Sequence, residues 1–185
     1  MSLNKEHQQR LLNLAKSSIQ HGLQTGRPLK VNLADFPAEL TEHRATFVTL
    51  QINHQLRGCI GMLEAIRPLA EDIAENAFLA AFRDPRFPPL ADDEFGKLEI
   101  HLSILTPAEP VSFTSEQDLI SQLQPGIDGL ILEERRRRGT FLPSVWEQIP
   151  EPEQFLRHLK QKAGLAPDYW YENIKIYRYR TEMIG

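Results

Sequence analysis

Apolar residues recur along this chain in two rhythms, one near 3.6 and one of 2, and their order predicts helices and strands in turn. From Asn4 to His21, the positions Leu11, Leu14, Ala15, Ser18 and Ile19 share one helical face, and His21-Gly22 reads as a cation-capable last turn and a stop. Gly26-Arg27-Pro28 opens an irregular linker running to Glu42, with Phe36-Pro37 as an anchor against a core. Thr46 to Ile52 is β-branched and apolar, Asn53-His54-Gln55 has turn chemistry, and Gln55 to Met62 is extended again, so the pair predicts a β-hairpin. Strict alternation puts Leu56, Gly58 and Ile60 on one face of its second strand and Arg57, Cys59 and Gly61 on the other. His43 and His54 read as solvent-facing turn residues.

Pro68 suits the first turn of a helix whose buried face carries Leu69, Ile73, Ala77, Ala80 and Ala81, with Glu71, Asp72 and Glu75 near its positive end. The run from Arg83 to Leu90 holds Pro85, Pro88 and Pro89 and predicts a stiff loop. Leu98 to Leu105 alternates as a half-buried strand, with Glu99, His101 and Ser103 on its polar face. Thr114-Ser115-Glu116-Gln117 reads as a capping box before a helix carrying Leu119, Ile120 and Leu123, which Pro125-Gly126 ends. Ile127 to Leu132 predicts a strand, Arg135 to Gly139 a turn, and Glu153 to Ala163 a helix with Gly164 past its end. From Ile174 to Met183 the chain alternates Lys175, Tyr177 and Tyr179 with Ile174, Ile176 and Arg178, so both faces are partly apolar, as in an interior or inter-lobe strand. Because the strands arrive as hairpins, the pattern predicts an α+β fold, a mostly antiparallel sheet flanked by helices.

Composition narrows the class. A chain of 185 residues with 41% hydrophobic and 25% charged residues fits one domain, or two small lobes sharing a core. The net charge of −4 argues against a nucleic-acid partner. No apolar run approaches the ~20 residues that cross a bilayer, and the polar start is unlike a secretory signal, so no membrane partner and a cytoplasmic location are expected. A single cysteine agrees with a reducing compartment.

The densest candidate chemistry lies in Leu56-Arg57-Gly58-Cys59-Ile60-Gly61. Two glycines beside the thiol suggest access, and a guanidinium on the thiol's face would favour the nucleophilic thiolate. Against this, a lone cysteine in a strand is more often core filling. His101 is the histidine best placed to serve as a base if its strand pairs near the hairpin. In the stiff loop Arg86 reads as an anion-binding residue, and Arg83 with Asp84 as a pair that pins the loop. Glu64 reads as a solvated carboxylate and Ser144 as ordinary loop chemistry. The arginines from Arg135 to Arg138, preceded by Glu133-Glu134, read as a solvated charge run protecting a strand edge. No P-loop, Gly-x-Gly-x-x-Gly, Cys-x-x-Cys or His-Glu-x-x-His motif occurs, and the six histidines lack ligand spacing, so no metal site is expected and any cofactor stays unknown.

The same residues carry a resemblance. Leu56 to Gly61 is similar to the hallmark motif of the AMMECR1 domain family. So are Phe47-Val48-Thr49-Leu50, Asp84 to Leu90, Ser103-Ile104-Leu105-Thr106, Gly126 to Leu130, Phe141 to Val145 and Lys162-Ala163-Gly164-Leu165, in the expected order. The resemblance implies a single domain over residues 1–185 made of two interleaved α+β lobes, with the cysteine motif at a cleft between them. It supplies no chemistry, though family members are associated with Memo-like and radical SAM proteins, which hints at a shared pathway. Two functions stay open. One is an enzyme acting on a small, anionic substrate, with Cys59 as nucleophile or covalent anchor, Arg57 lowering its pKa or orienting an anion, His101 as base, and Gly58, Gly61 and Arg86 contacting substrate. The other is a non-catalytic adaptor that grips a peptide or metabolite at the same place.

Overall fold

The first helix, α1 (Lys5–Thr25), begins where the Asn4 side chain accepts a hydrogen bond from His7 N–H at 2.7 Å. It ends where Gly26 turns left-handed at φ 73° and its N–H bonds to the Gly22 carbonyl. The predicted stop at Gly22 is therefore displaced by one turn. Gly22 sits inside the helix for a packing reason: a Cβ there would lie 2.4 Å from the Phe82 ring and 2.8 Å from that of Phe78. These features come from a computed structural model, which describes residues 2–185.

The chain divides into two units, the first comprising the residues up to Leu105 together with Glu182–Gly185, the second Thr106–Thr181. In the first unit the linker after α1 is more ordered than its sequence predicts, with a 3-10 turn at Leu33–Asp35 and a short α2 (Ala38–Thr41) that buries Leu40. Phe36 packs on the core as expected, under the Arg10 guanidinium at 4.7 Å. Then follow β1 (Thr46–Ile52), β2 (Gln55–Gly61), α3 (Leu69–Phe82), a single turn α4 (Asp92–Phe95) and β3 (Glu99–Leu105). The last strand of the chain, β8 (Thr181–Ile184), completes a sheet of order β2-β1-β3-β8. Helices α1 and α3 cover one face of this sheet and enclose Leu11, Ile19, Val48, Leu50, Ile73, Ala77, Leu102 and Ile104.

The β1–β2 hairpin forms as predicted, through a two-residue turn in which Asn53 and His54 both take left-handed φ, 53° and 62°. Both His54 and His43 are exposed. Strict alternation along β2 does not hold. Gln51 pairs with Leu56 while Leu50 pairs with Gly58, so Arg57 is an extra, bulged residue. The bulge turns Arg57 inward to 8% exposure and leaves Leu56 at 42%.

The second unit has a sheet of order β4-β7-β5-β6, antiparallel throughout, from β4 (Glu109–Pro110), β5 (Gly129–Glu134), β6 (Arg137–Phe141) and β7 (Lys175–Tyr179). Helices α5 (Glu116–Gln122) and α6 (Pro152–Lys162) close a core of Leu119, Leu130, Leu132, Leu156 and Leu159, in which Trp146 stacks on Phe155 at 3.7 Å. The cap of α5 lies one residue later than predicted: Ser115 accepts from Asp118 N–H, and Asp118 in return accepts from Thr114 N–H. The turn expected over Arg135 to Gly139 shrinks to Arg135-Arg136, because Arg138 pairs with Glu133 across the strands at 3.3 Å and Gly139 fits against Ala163. The single strand predicted from Ile174 to Met183 breaks near Arg180 and supplies one strand to each sheet. Among the described residues, six helices and two antiparallel sheets make the fold α+β. Among the described residues no helix is long and apolar enough to cross a membrane.

Candidate functional site

Strand β2 lies at the edge of its sheet, so the outward N–H and C=O groups of Cys59 have no strand partner. The proline-stiffened loop after α3 supplies one. Asp84, 4% exposed, accepts the Cys59 N–H at 3.0 Å. Its two oxygens also take Arg86 N–H at 3.1 Å, Arg86 Nε at 3.0 Å and an Arg86 terminal nitrogen at 2.7 Å. Arg86 in turn donates to the Cys59 carbonyl at 3.4 Å. The Arg86 hydrogen bonds hold the Asp84 carboxyl well below the usual carboxylate range, against the opposing effect of burial, and the same pairing raises the Arg86 guanidinium. The loop's Arg–Asp pair is thus Asp84 with Arg86. Arg83 instead lies over the Phe78 ring at 5.9 Å.

Arg57 is held by a second fork. Its Nε and one terminal nitrogen reach the two Glu94 oxygens at 2.7 and 3.0 Å, and that terminal nitrogen also donates to the Pro88 carbonyl at 2.8 Å. Glu94 is lowered and Arg57 raised, each chiefly by this hydrogen bonding. The remaining Arg57 terminal nitrogen is buried without a hydrogen-bond partner among the described residues. Arg57 and Arg86 flank one ring, Phe87, at 5.9 and 5.5 Å.

The thiol lies within electrostatic reach of the Arg86 guanidinium. Cys59 is half-buried, and its Sγ lies 3.2 Å from the Thr49 hydroxyl. Thr49 pairs with Cys59 on one side and with His101 on the other, so the three residues form one row across the sheet. Directly paired residues project to the same face. That face is opposite the one carrying Val48, Leu50 and Leu102. With strands about 4.8 Å apart, His101 stands roughly 10 Å from Cys59 and Thr49 occupies the space between.

Of the residues singled out by sequence, Cys59, Arg86 and His101 come to one strand edge and one sheet row, while Arg57 turns toward Glu94. The glycines are accounted for by self-packing. A Cβ at Gly58 would meet the Ala80 carbonyl of α3 at 2.1 Å, and one at Gly61 the Thr46 carbonyl at 2.3 Å and the Phe47 ring at 2.5 Å. Sequence reasoning missed Thr49, Glu94 and the role of Asp84 as partner to the Cys59 amide. It also missed a buried network in which Asp72 accepts from Thr46 Oγ1 at 2.6 Å, Asn76 Nδ2 at 3.0 Å and Arg67 Nε at 2.9 Å. A carboxylate at position 72 within a helix's buried stripe was the available signal. Ser144 lies exposed in the second unit. Among the described residues no cluster of three or more His, Cys, Asp or Glu side chains is arranged to hold a metal ion.

Comparison with known proteins assigns the chain to a family. The AMMECR1 family profile matches residues 12–184. A protein of Methanothermobacter thermautotrophicus is 36% identical over 183 residues, 98% of this chain and 95% of its own length. One of Methanocaldococcus jannaschii is 39% identical over 158 residues, 83% of this chain and 79% of its own. The crystal structure of an uncharacterised protein from Pyrococcus horikoshii superposes with a TM-score of 0.88 at 36% identity, covering 98% of this chain and 92% of that one. With a profile match over nearly its whole length and relatives this similar, the chain belongs to the AMMECR1 family.

Proposed function

We propose that the sheet face carrying Cys59 is the working face of an enzyme that acts on a small, anionic substrate, with Cys59 as the nucleophile or covalent anchor. The observation that carries this reading is the division of labour around one residue: Asp84 and Arg86 hold the Cys59 backbone at the sheet edge, while the half-buried residue sets its sulfur against the Thr49 hydroxyl. A cysteine that only fills a core needs no such support. In this reading Thr49 orients the thiol, and His101, next in the row, receives its proton through the Thr49 hydroxyl or a water. Arg86, with 55% of its side chain exposed, offers its outer edge to a substrate anion. Arg57 holds the strand through Glu94 and acts as a positioning residue.

A non-catalytic binding module is favoured by one observation: both guanidiniums are already matched by carboxylates, Arg57 by Glu94 and Arg86 by Asp84. The pH dependence of Cys59 alkylation separates the two, and as the only thiol it needs no mutant to isolate it. The enzyme reading expects fast labelling of the folded protein at neutral pH, and slower labelling in His101→Ala. Labelling that waits for unfolding would sink it. So would full activity in Cys59→Ala once a substrate is found.

A further inference from the structure

The second unit holds a cavity of about 540 Å³ at the tip of the β5–β6 hairpin, a size typical of small-molecule pockets. One wall is the hairpin turn from Glu134 to Arg137, and the other is the segment after α6, where Gly164 takes a left-handed φ of 85° before Leu165 and Ala166. Arg137 donates to the Gly164 carbonyl and so ties the two walls together. Tyr169 completes the lining, its hydroxyl donating to a Glu134 oxygen at 3.3 Å.

Charge in this cavity is unbalanced. Three arginines, Arg135, Arg136 and Arg137, line it with one carboxylate, that of the buried Glu134, an excess of two positive charges. Arg135 lies 3.5 Å from Glu134 yet keeps 82% of its side chain exposed. Among the described residues Arg136 makes no hydrogen bond or ion pair. The run of arginines is therefore not uniform. Arg138 pairs across the strands with Glu133 and serves the hairpin, whereas Arg135 and Arg136 sit at the turn with donors to spare. Arg135 also occupies a left-handed position, φ 55°, that turns ordinarily give to Gly or Asn.

We infer that this cavity binds a small organic phosphate, a phosphomonoester dianion held by Arg135 and Arg136, with its apolar part on Leu165 and Ala166 beside the Tyr169 ring. A phosphomonoester carries close to two negative charges at neutral pH, matching the excess. The guanidinium fork fits phosphate oxygens. The half-buried Leu165 supplies apolar surface that inorganic phosphate alone would not use. This site lies in the second unit and does not depend on the chemistry of Cys59.

The test is calorimetric titration of the full chain with phenyl phosphate and with inorganic phosphate at low salt. It compares wild type, the double variant Arg135→Asn/Arg136→Gln, and Arg138→Gln. Asn is at home in a left-handed turn, so the double variant keeps its fold, which tryptophan fluorescence checks through Trp146 and Trp170. The expected result is phenyl phosphate binding more tightly than inorganic phosphate, weakening about tenfold or more per guanidinium removed and unchanged in Arg138→Gln. Absence of binding, or equal affinity in the folded double variant, overturns the proposal and leaves the arginines a solvated charge run. Equal affinity for the two probes overturns the organic part.

Discussion

Asp84 accepts four hydrogen bonds with one carboxylate, three from Arg86 and one from the Cys59 amide. Asp84→Asn keeps the shape but removes the charge and replaces one acceptor oxygen with an NH2 donor facing donors. The expected loss is about 1.5–3 kcal/mol of stability in urea unfolding, the range for hydrogen bonds to a charged group, and Cys59 is expected to alkylate faster as the edge of β2 loosens. The same residue sets a pH dependence. Its folded pKa is depressed, so its contribution is fully present above the unfolded carboxylate pKa of about 4 and is lost as pH falls toward the lower folded value. Glu94, lowered by Arg57, acts in the same direction. Wild type and Asp84→Asn should therefore converge in stability on acidification below about pH 4; a constant gap would show that the carboxylate's charge does not matter.

At the level of the element, α1 and α3 meet where Gly22 lies against Phe78 and Phe82. Alanine is the better helix former by about 1 kcal/mol, so an isolated α1 would gain from Gly22→Ala. In the protein the added methyl must displace two aromatic rings that are themselves packed at 5.0 Å, and overpacking costs about 1–3 kcal/mol. We expect a net decrease in thermal midpoint. An increase would mean that the rings yield freely and that propensity decides the position. The bulge at Arg57 follows the same logic: local periodicity predicts one orientation, and a bidentate partner 37 residues away at Glu94 imposes another.

Across the whole molecule, the chain leaves its first unit at Leu105 and returns to it only at Glu182. The returning strand is integral to the first unit. Ile184 is 4% exposed in the core beneath β3, and Glu182 accepts the Leu3 N–H at 2.8 Å. Removing residues 182–185 should cost about 2–5 kcal/mol, the range for deleting a buried large aliphatic side chain, and bare the edge of β3. Amide hydrogen exchange in β1 and β3, followed against urea, reads the first unit directly, and its midpoint should fall in the truncated chain. An unchanged midpoint would mean that β8 is dispensable.

The sequence by itself determined the longer helices and strands, the α+β class and the family, though not the short α2, α4 and β4, because each of the former rests on short-range pattern. Examples are Asn53-His54 in a left-handed turn, alternation along Glu99–Leu105, and prolines barring helix through Arg83 to Leu90. It also located the segment around Cys59. Which charge answers which was decided only by the tertiary structure. Asp84 finds the Cys59 amide 25 residues away, Arg57 turns to Glu94, Thr49 stands between Cys59 and His101, and one apolar stretch near the end splits between two sheets. The physical reason is range. Periodicity and propensity act over a few residues along the chain, whereas a hydrogen bond to an edge strand, a bulge or a clash at Gly22 depends on what packing brings within about 3–4 Å through space.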